Sequence, residues 1–279
     1  SCLSRLRISY DSVNRLFKDL KSFENIKSKN FIKKISSSEE TFQELNLSEI
    51  SFRYPGSKED NLKQISLTIT QGESIGLIGP SGSGKTTLVD LILGLLEPKN
   101  GIIKYNGQDF SKSLNRWRSQ VAYLPQQVFL LDSTLKQNIC IETEEGHFEE
   151  NRLYDALKQA RLTELVRQLP NGLETRIGDR GIRLSGGQRQ RVALARSFYH
   201  DRNVLIMDES TSSLDYQTEK EIVEEIKNLK GKKTLIVIAH RLTTVEDCSY
   251  IYHLENGKFV SHGSTEKILK IPRKSTIKR

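Results

Sequence analysis

Nine consecutive residues, Gly79-Pro80-Ser81-Gly82-Ser83-Gly84-Lys85-Thr86-Thr87, place three glycines, a lysine and several hydroxyls at a spacing that can wrap an anion. The glycines let successive backbone N–H groups converge on a phosphate, and a following helix adds the positive end of its dipole. Lys85 would neutralise the β and γ phosphates of a nucleotide, and the Thr86 hydroxyl can ligate Mg²⁺. A second run, Val204-Leu205-Ile206-Met207-Asp208-Glu209, ends an apolar strand in two carboxylates. Beside a phosphate-binding loop these fit a metal ligand, Asp208, and a base for an attacking water, Glu209. A third run, Leu184-Ser185-Gly186-Gly187-Gln188, opens a helix continuing from Arg189 to Tyr199 and offers another N-terminus suited to an anion.

Elements that must hold these groups are visible around them. Ser74 to Ile78, Val121 to Leu124, Val204 to Met207 and Leu235 to Ile238 are short continuous apolar strands. Each runs straight into a polar or glycine-rich segment, the pattern of a parallel sheet with its chemistry at the carboxyl ends. Leu45 to Arg53, Leu67 to Thr70 and the segments around the turns Asn106-Gly107 and Asn256-Gly257 suggest an antiparallel β layer. Leu88 to Leu96 reads as an apolar helix after the phosphate loop. Between the second and third parallel strands, about 134 to 185 has helical patterning, clearest at Asn151 to Ala160 and Leu162 to Leu169, and reads as an all-helical insertion. Residues 1–40 read as an amphipathic helix and a linker, 41–265 as the globular body and 266–279 as a basic tail.

The 279 residues are 36% hydrophobic and 28% charged, enough to bury a core without disulfides. No apolar run approaches the ~18 residues of a membrane span. Cys2, Cys140 and Cys248 form no CxxC pair, which argues for reduced thiols rather than a zinc site. The net charge of +8 raises nucleic acid as a partner, but the charge sits at the ends. Residues 1 to 36 carry nine Lys/Arg against three acids, and 266 to 279 carry six against one, leaving the body at −3. A mildly acidic body with basic arms makes a poor nucleic-acid groove.

The phosphate loop, the Leu184–Gln188 pentapeptide about a hundred residues later and the Asp-Glu strand shortly after it resemble the motif set of the ATP-binding-cassette family, over about Leu45 to Ser264. The fold class this implies is α/β, a P-loop NTPase parallel-sheet core with the antiparallel layer and the helical insertion. The resemblance also implies ATP and Mg²⁺ as cofactors, with Gly79, Ser81, Gly82, Ser83, Gly84, Lys85, Thr86 and Thr87 on the nucleotide. Tyr54 matches the aromatic that stacks on adenine. Gln126, with Gln127 beside it, matches the glutamine that contacts Mg²⁺ and the attacking water. Asp215, in Ser213-Leu214-Asp215, resembles the loop that crosses to a partner subunit, although Ser210 and Ser213 stand where alanine is commoner. His240 matches the histidine that hydrogen-bonds the γ-phosphate. Ser185, Gly186, Gly187 and Gln188 of one chain would complete the ATP site of another, so a second nucleotide-binding domain, in a homodimer, is an expected partner.

Two classes of cassette are weighed. Thr175-Arg176-Ile177-Gly178-Asp179-Arg180-Gly181 resembles the segment by which exporter-type cassettes contact their transmembrane helices, with Asp179 in place of the usual glutamate. Ser12 to Phe17 resembles the stretch joining the last membrane helix to the cassette. These imply the motor of an exporter at the cytoplasmic face of an inner or plasma membrane, partnered by a transmembrane domain, and a chain that is the C-terminal part of a longer polypeptide. The general look leans to a lipid or saccharide flippase. The alternative, a soluble ATPase of the same family acting on nucleic acid or ribosomes, would show inserted coiled coils or zinc modules, and neither is present between Lys85 and Ser185.

Overall fold

The computed structural model describes residues 41–141, 149–178, 182–208, 220, 223–224, 226–239 and 244–269, all within a unit that begins at Thr41. The amphipathic helix and linker expected over 1–40 lie outside the described residues, as do Ser12 to Phe17.

β3 (Ser74–Ile78), β9 (Val204–Asp208) and β10 (Thr234–Ile238) are buried at every position. Both of their faces are covered, which is why they read as unbroken apolar runs rather than alternating ones. With β6 (Val121–Leu124), β11 (Tyr250–Glu255) and β12 (Lys258–Ser264) they form a six-stranded sheet in the order β12-β11-β3-β10-β9-β6. All neighbours are parallel except the edge pair β11·β12.

Successive residues of β9 and β10 serve different cores. Val204, Ile206, Ile236 and Ile238 pack towards α1 (Lys85–Ile92) and the outer β layer, while Leu205, Met207, Leu235 and Val237 pack towards the helical side. The outer layer is a four-stranded antiparallel sheet, β2-β1-β4-β5, built from β1 (Glu44–Phe52), β2 (Leu62–Thr70), β4 (Asn100–Tyr105) and β5 (Gln108–Asp109). Under it Trp117 of α2 (Phe110–Gln120) is fully buried, packs with Phe42, Tyr105 and Phe110, and donates its indole N–H to Ile92 O at 2.6 Å.

Several sequence expectations are corrected in detail. The Asn256-Gly257 hairpin was expected in the antiparallel layer. It instead closes β11 on β12 in the six-stranded sheet, where β11 adds a fifth parallel strand beside β3. Tyr250–Glu255 mixes three buried positions with three half-buried ones, Tyr250, His253 and Glu255, so it carries no unbroken apolar run. The helix expected through Leu96 stops at Ile92, since Gly94 takes a left-handed φ of 68° and ends it.

The insertion carries α3 (Leu135–Ile139), α4 (Glu150–Gln159), α5 (Thr163–Gln168) and a 3₁₀ turn (Gly172–Glu174), followed by α6 (Gly186–His200). It is not wholly helical. The two-residue strands β7 (Ser133–Thr134) and β8 (Arg176–Ile177) pair across its base, too short a ladder to leave a period in the sequence. The basic tail expected from residue 266 begins as helix α7 (Thr265–Leu269), whose Ile268 and Leu269 pack on the core. Residues 270–279 lie outside the described residues.

Candidate functional site

The phosphate loop leaves β3, buried at every position, and enters α1, buried at six of its eight, so its backbone is held at both ends. Gly82 and Gly84 take φ values of 76° and 108°, conformations that favour glycine. Lys85, 6% exposed, donates from Nζ to Gly79 O at 2.8 Å and Pro80 O at 2.9 Å, which holds the ammonium over the loop. The loop is propped from outside by the β11–β12 turn. Gly257 donates its N–H to Ser83 O at 3.0 Å and accepts from Lys63 N at 2.8 Å, tying the loop to the start of β2.

A cleft of about 720 Å³ opens above this loop. Ser81, Gly82, Gly84, Lys85, Thr86 and Thr87 line it, together with Gln126 after β6 and Asp208 at the end of β9. Three stretches far apart in sequence thus meet because β3 and β9 flank β10 while β6 lies beyond β9, all pointing their carboxyl ends the same way. Ser57, Glu59, Asp60, Asn61 and Lys63 and the turn Asn256-Gly257 complete its lining. Ser83 sits differently: its hydroxyl is buried beneath the loop and its N–H donates to Pro80 O at 3.2 Å.

Tyr54, 38% exposed, does not line the cleft itself; it is braced edge-on by Phe52 at 4.9 Å, with its hydroxyl 3.4 Å from Thr87 Oγ1, which does. Asp208, 9% exposed, accepts a hydrogen bond from the Tyr123 hydroxyl at 3.3 Å. Burial, the Asp208 charge and the more distant Asp90 carboxylate all push the Tyr123 phenol far above its ordinary range, so it is a proton donor at any working pH. Burial also raises the Asp90 carboxyl on α1.

The donors facing the cleft suit Mg²⁺. A threonine hydroxyl, an aspartate and a glutamine amide are hard oxygen ligands, and a nucleotide-borne Mg²⁺ takes one or two protein carboxylates with phosphates and water completing its shell. No cluster of three His, Cys, Asp or Glu side chains that could cage an ion exists among the described residues.

The pentapeptide lies elsewhere. Ser185 caps α6 in a reciprocal box with Gln188, accepting from Gln188 N at 3.2 Å while Ser185 N donates to Gln188 Oε1 at 2.8 Å. Gly186 instead lines a smaller cleft of about 280 Å³ with Gln126, Gln127, Val128, Arg189 and Gln190. Gln126 therefore faces both clefts, and Gln127 only the second. Ser185, Gly187 and Gln188 do not line the nucleotide cleft of their own chain, and Glu209, Asp215 and His240 lie outside the described residues.

Matching against known families aligns residues 62–212 with the ABC transporter family. The chain belongs to the ABC transporter family. The described residues carry the ABC ATPase fold, and as such an ATP-binding cassette the chain resembles a bacterial Atm1-family ABC exporter with ATP bound, at 30% identity and a TM-score of 0.76 over 82% of this chain and 40% of that one. Among sequence relatives, the ATP-dependent lipid A-core flippases of Cupriavidus pinatubonensis and Burkholderia orbicola are 40% and 41% identical, over 79% and 81% of this chain. The chain spans about 38% of the length of each relative.

Tyr123 and the buried Asn138–Arg196 pair were not among the residues singled out from sequence. Tyr123 directly precedes the Leu124-Pro125-Gln126 segment, yet a tyrosine in an apolar strand looks like core. Its bond to Asp208 depends on a strand pairing that no local pattern specifies.

Proposed function

We propose that this cassette binds and hydrolyses Mg·ATP in a head-to-tail dimer and thereby powers the export or flipping of a lipid-class substrate. The observation that carries this reading is the single cleft in which the phosphate loop, Gln126 and Asp208 converge. Exporter coupling is supported by the 30% identity with the Atm1-family exporter, and the lipid class by the names of the flippase relatives.

In this mechanism Lys85 and the loop amides hold the β and γ phosphates, and Tyr54 offers its exposed face to adenine. Thr86, Asp208 and Gln126 would hold Mg²⁺, which when bound would supply positive charge against the charge developing on the phosphates. Glu209 takes the proton of the attacking water and His240 hydrogen-bonds the γ-phosphate. Little covalent chemistry is asked of the protein, so most of the acceleration comes from positioning. Ser185 and Gly187, turned away from their own cleft, complete the site of the facing chain.

The partner in the membrane would rest on the helical side. A groove of about 400 Å³ is lined by Tyr123, Pro125, Val128, Phe129 and Ile141, with Arg118, Arg196 and Arg202 around it. Phe129 and Ile141 are 75% and 50% exposed, a large apolar investment for a surface that stays in water. The groove adjoins the Gln126 segment, so a transmembrane domain seated there at the cytoplasmic face would bear on the nucleotide site. Nucleic acid is not an expected partner, since the basic residues gather at the chain ends.

The deciding experiment is Glu209→Gln. It should lower the ATP turnover number by about a hundredfold or more, in line with loss of a general base, while an ATP-bound dimer accumulates on size exclusion. Turnover at the wild-type rate would remove Glu209 from the role of base.

A further inference from the structure

Tyr123 lies on β6 opposite Ile206 of β9, and the next pair in register, Leu124 with Met207, brings its side chain alongside the strand end that carries Asp208. The phenol is half-buried and its hydroxyl donates to Asp208 Oδ2 at 3.3 Å. An aspartate at a strand end can turn about two side-chain bonds. A rigid ring anchored in the neighbouring strand removes that freedom, because a donor fixed beside one carboxylate oxygen sets the plane of both. The same strand runs on through Pro125 to Gln126, so the groups that would meet the metal from two directions are indexed by one element.

We propose that Tyr123 is a positioning residue for Asp208, its hydroxyl fixing the carboxylate in the orientation that takes the Mg²⁺ arriving with ATP. This rests on the ATP site described under the proposed function. The hydroxyl acts through Asp208 and touches neither nucleotide nor reacting atoms. Its contribution therefore belongs to metal-dependent binding and not to the phosphate grip of Lys85 and the loop amides.

Tyr123→Phe removes the one oxygen and keeps the ring that fills the space. Affinity of the 279-residue chain for a fluorescent ATP is measured by titration in Mg²⁺ and again in EDTA, with the thermal midpoint recorded to confirm the fold. The EDTA affinity should stay within about twofold of wild type while the Mg²⁺ concentration at half-saturation rises about tenfold, the size expected when a group behind a metal ligand is lost. Asp208→Asn should abolish the Mg²⁺ enhancement, and adding Tyr123→Phe to it should change nothing more. An unaltered Mg²⁺ dependence in Tyr123→Phe, or equal weakening with and without the metal, overturns the proposal. A wild-type chain that shows no Mg²⁺-dependent ATP binding would instead overturn the ATP reading itself.

Discussion

Arg196 carries its charge into the helical side of the domain, where burial works against it. Its guanidinium donates to Asn138 O, Asn138 Oδ1 and Phe129 O, and Asn138 is itself fully buried, giving its amide hydrogens to Leu131 O and Thr134 O and accepting from Leu131 N. Two side chains thus satisfy the turns between Gln126 and β7, a stretch without regular secondary structure of its own. Removing the guanidinium takes a charged donor from Asn138 O and Phe129 O, so Arg196→Met should lower the unfolding free energy by about 2 kcal/mol in urea titrations. Because Phe129 is held in the same network, binding of the membrane partner should weaken as well. A second residue-scale expectation concerns the thiols. Burial pushes Cys248 up to about 12 and raises Cys140. In a Cys2→Ser variant no thiol should react with a disulfide reagent at pH 8 until denaturant is added. The sign for stability follows: above about pH 8.5 the unfolded thiols ionise while the folded ones keep their protons, so stability falls as pH rises towards 12.

At the scale of elements, the turn between β11 and β12 matters more than its length suggests. Gly257 has φ 77°, and a Cβ there would lie 2.5 Å from Asn61 O, a backbone atom that cannot swing aside. The turn presses on the phosphate loop through Ser83 O and on the start of β2 through Lys63 N. Gly257→Ala should destabilise the fold by about 2 kcal/mol and, by displacing the loop, weaken ATP binding beyond what the lost stability alone explains. Isothermal titration at a temperature where the variant is fully folded checks the second effect. The strap β7·β8 is a comparable device. Leu135 N bonds Thr175 O at 3.0 Å and Lys136 pairs with Glu174 at 3.2 Å, so the segment leading to the Ser185 cap is tied to α3.

At the scale of the molecule, the proposed head-to-tail pairing gives each chain two half-sites, since Ser185 and Gly187 do not line the cleft of their own chain. ATPase activity should therefore rise more than linearly with protein concentration, and mixing Ser185→Arg chains with Lys85→Ala chains should restore one working site in two. Strictly linear activity from a stable monomer would exclude the shared site. Charge placement bears on partners: the body carries −3, and the positive excess of the chain sits in 1 to 36 and 266 to 279. Any binding to DNA should be confined to those ends and vanish on raising salt, as phosphate contacts alone would.

The amino-acid order by itself determined the chemistry on offer. Glycines spaced for a phosphate, a lysine and threonine behind them, and an apolar strand ending in Asp208 are local patterns, legible because each group's role depends on near neighbours in sequence. Unbroken apolar runs likewise revealed four of the five parallel strands, because burial on both faces leaves few polar positions. Only tertiary structure decided which strand lies beside which. The order β12-β11-β3-β10-β9-β6 brings residues 85, 126 and 208 to one cleft, assigns the Asn256-Gly257 hairpin to the inner sheet and sets Tyr123 against Asp208. Pairing between strands is a long-range choice, made when two faces of a sheet find cover together, and it leaves no trace in the spacing of any one segment.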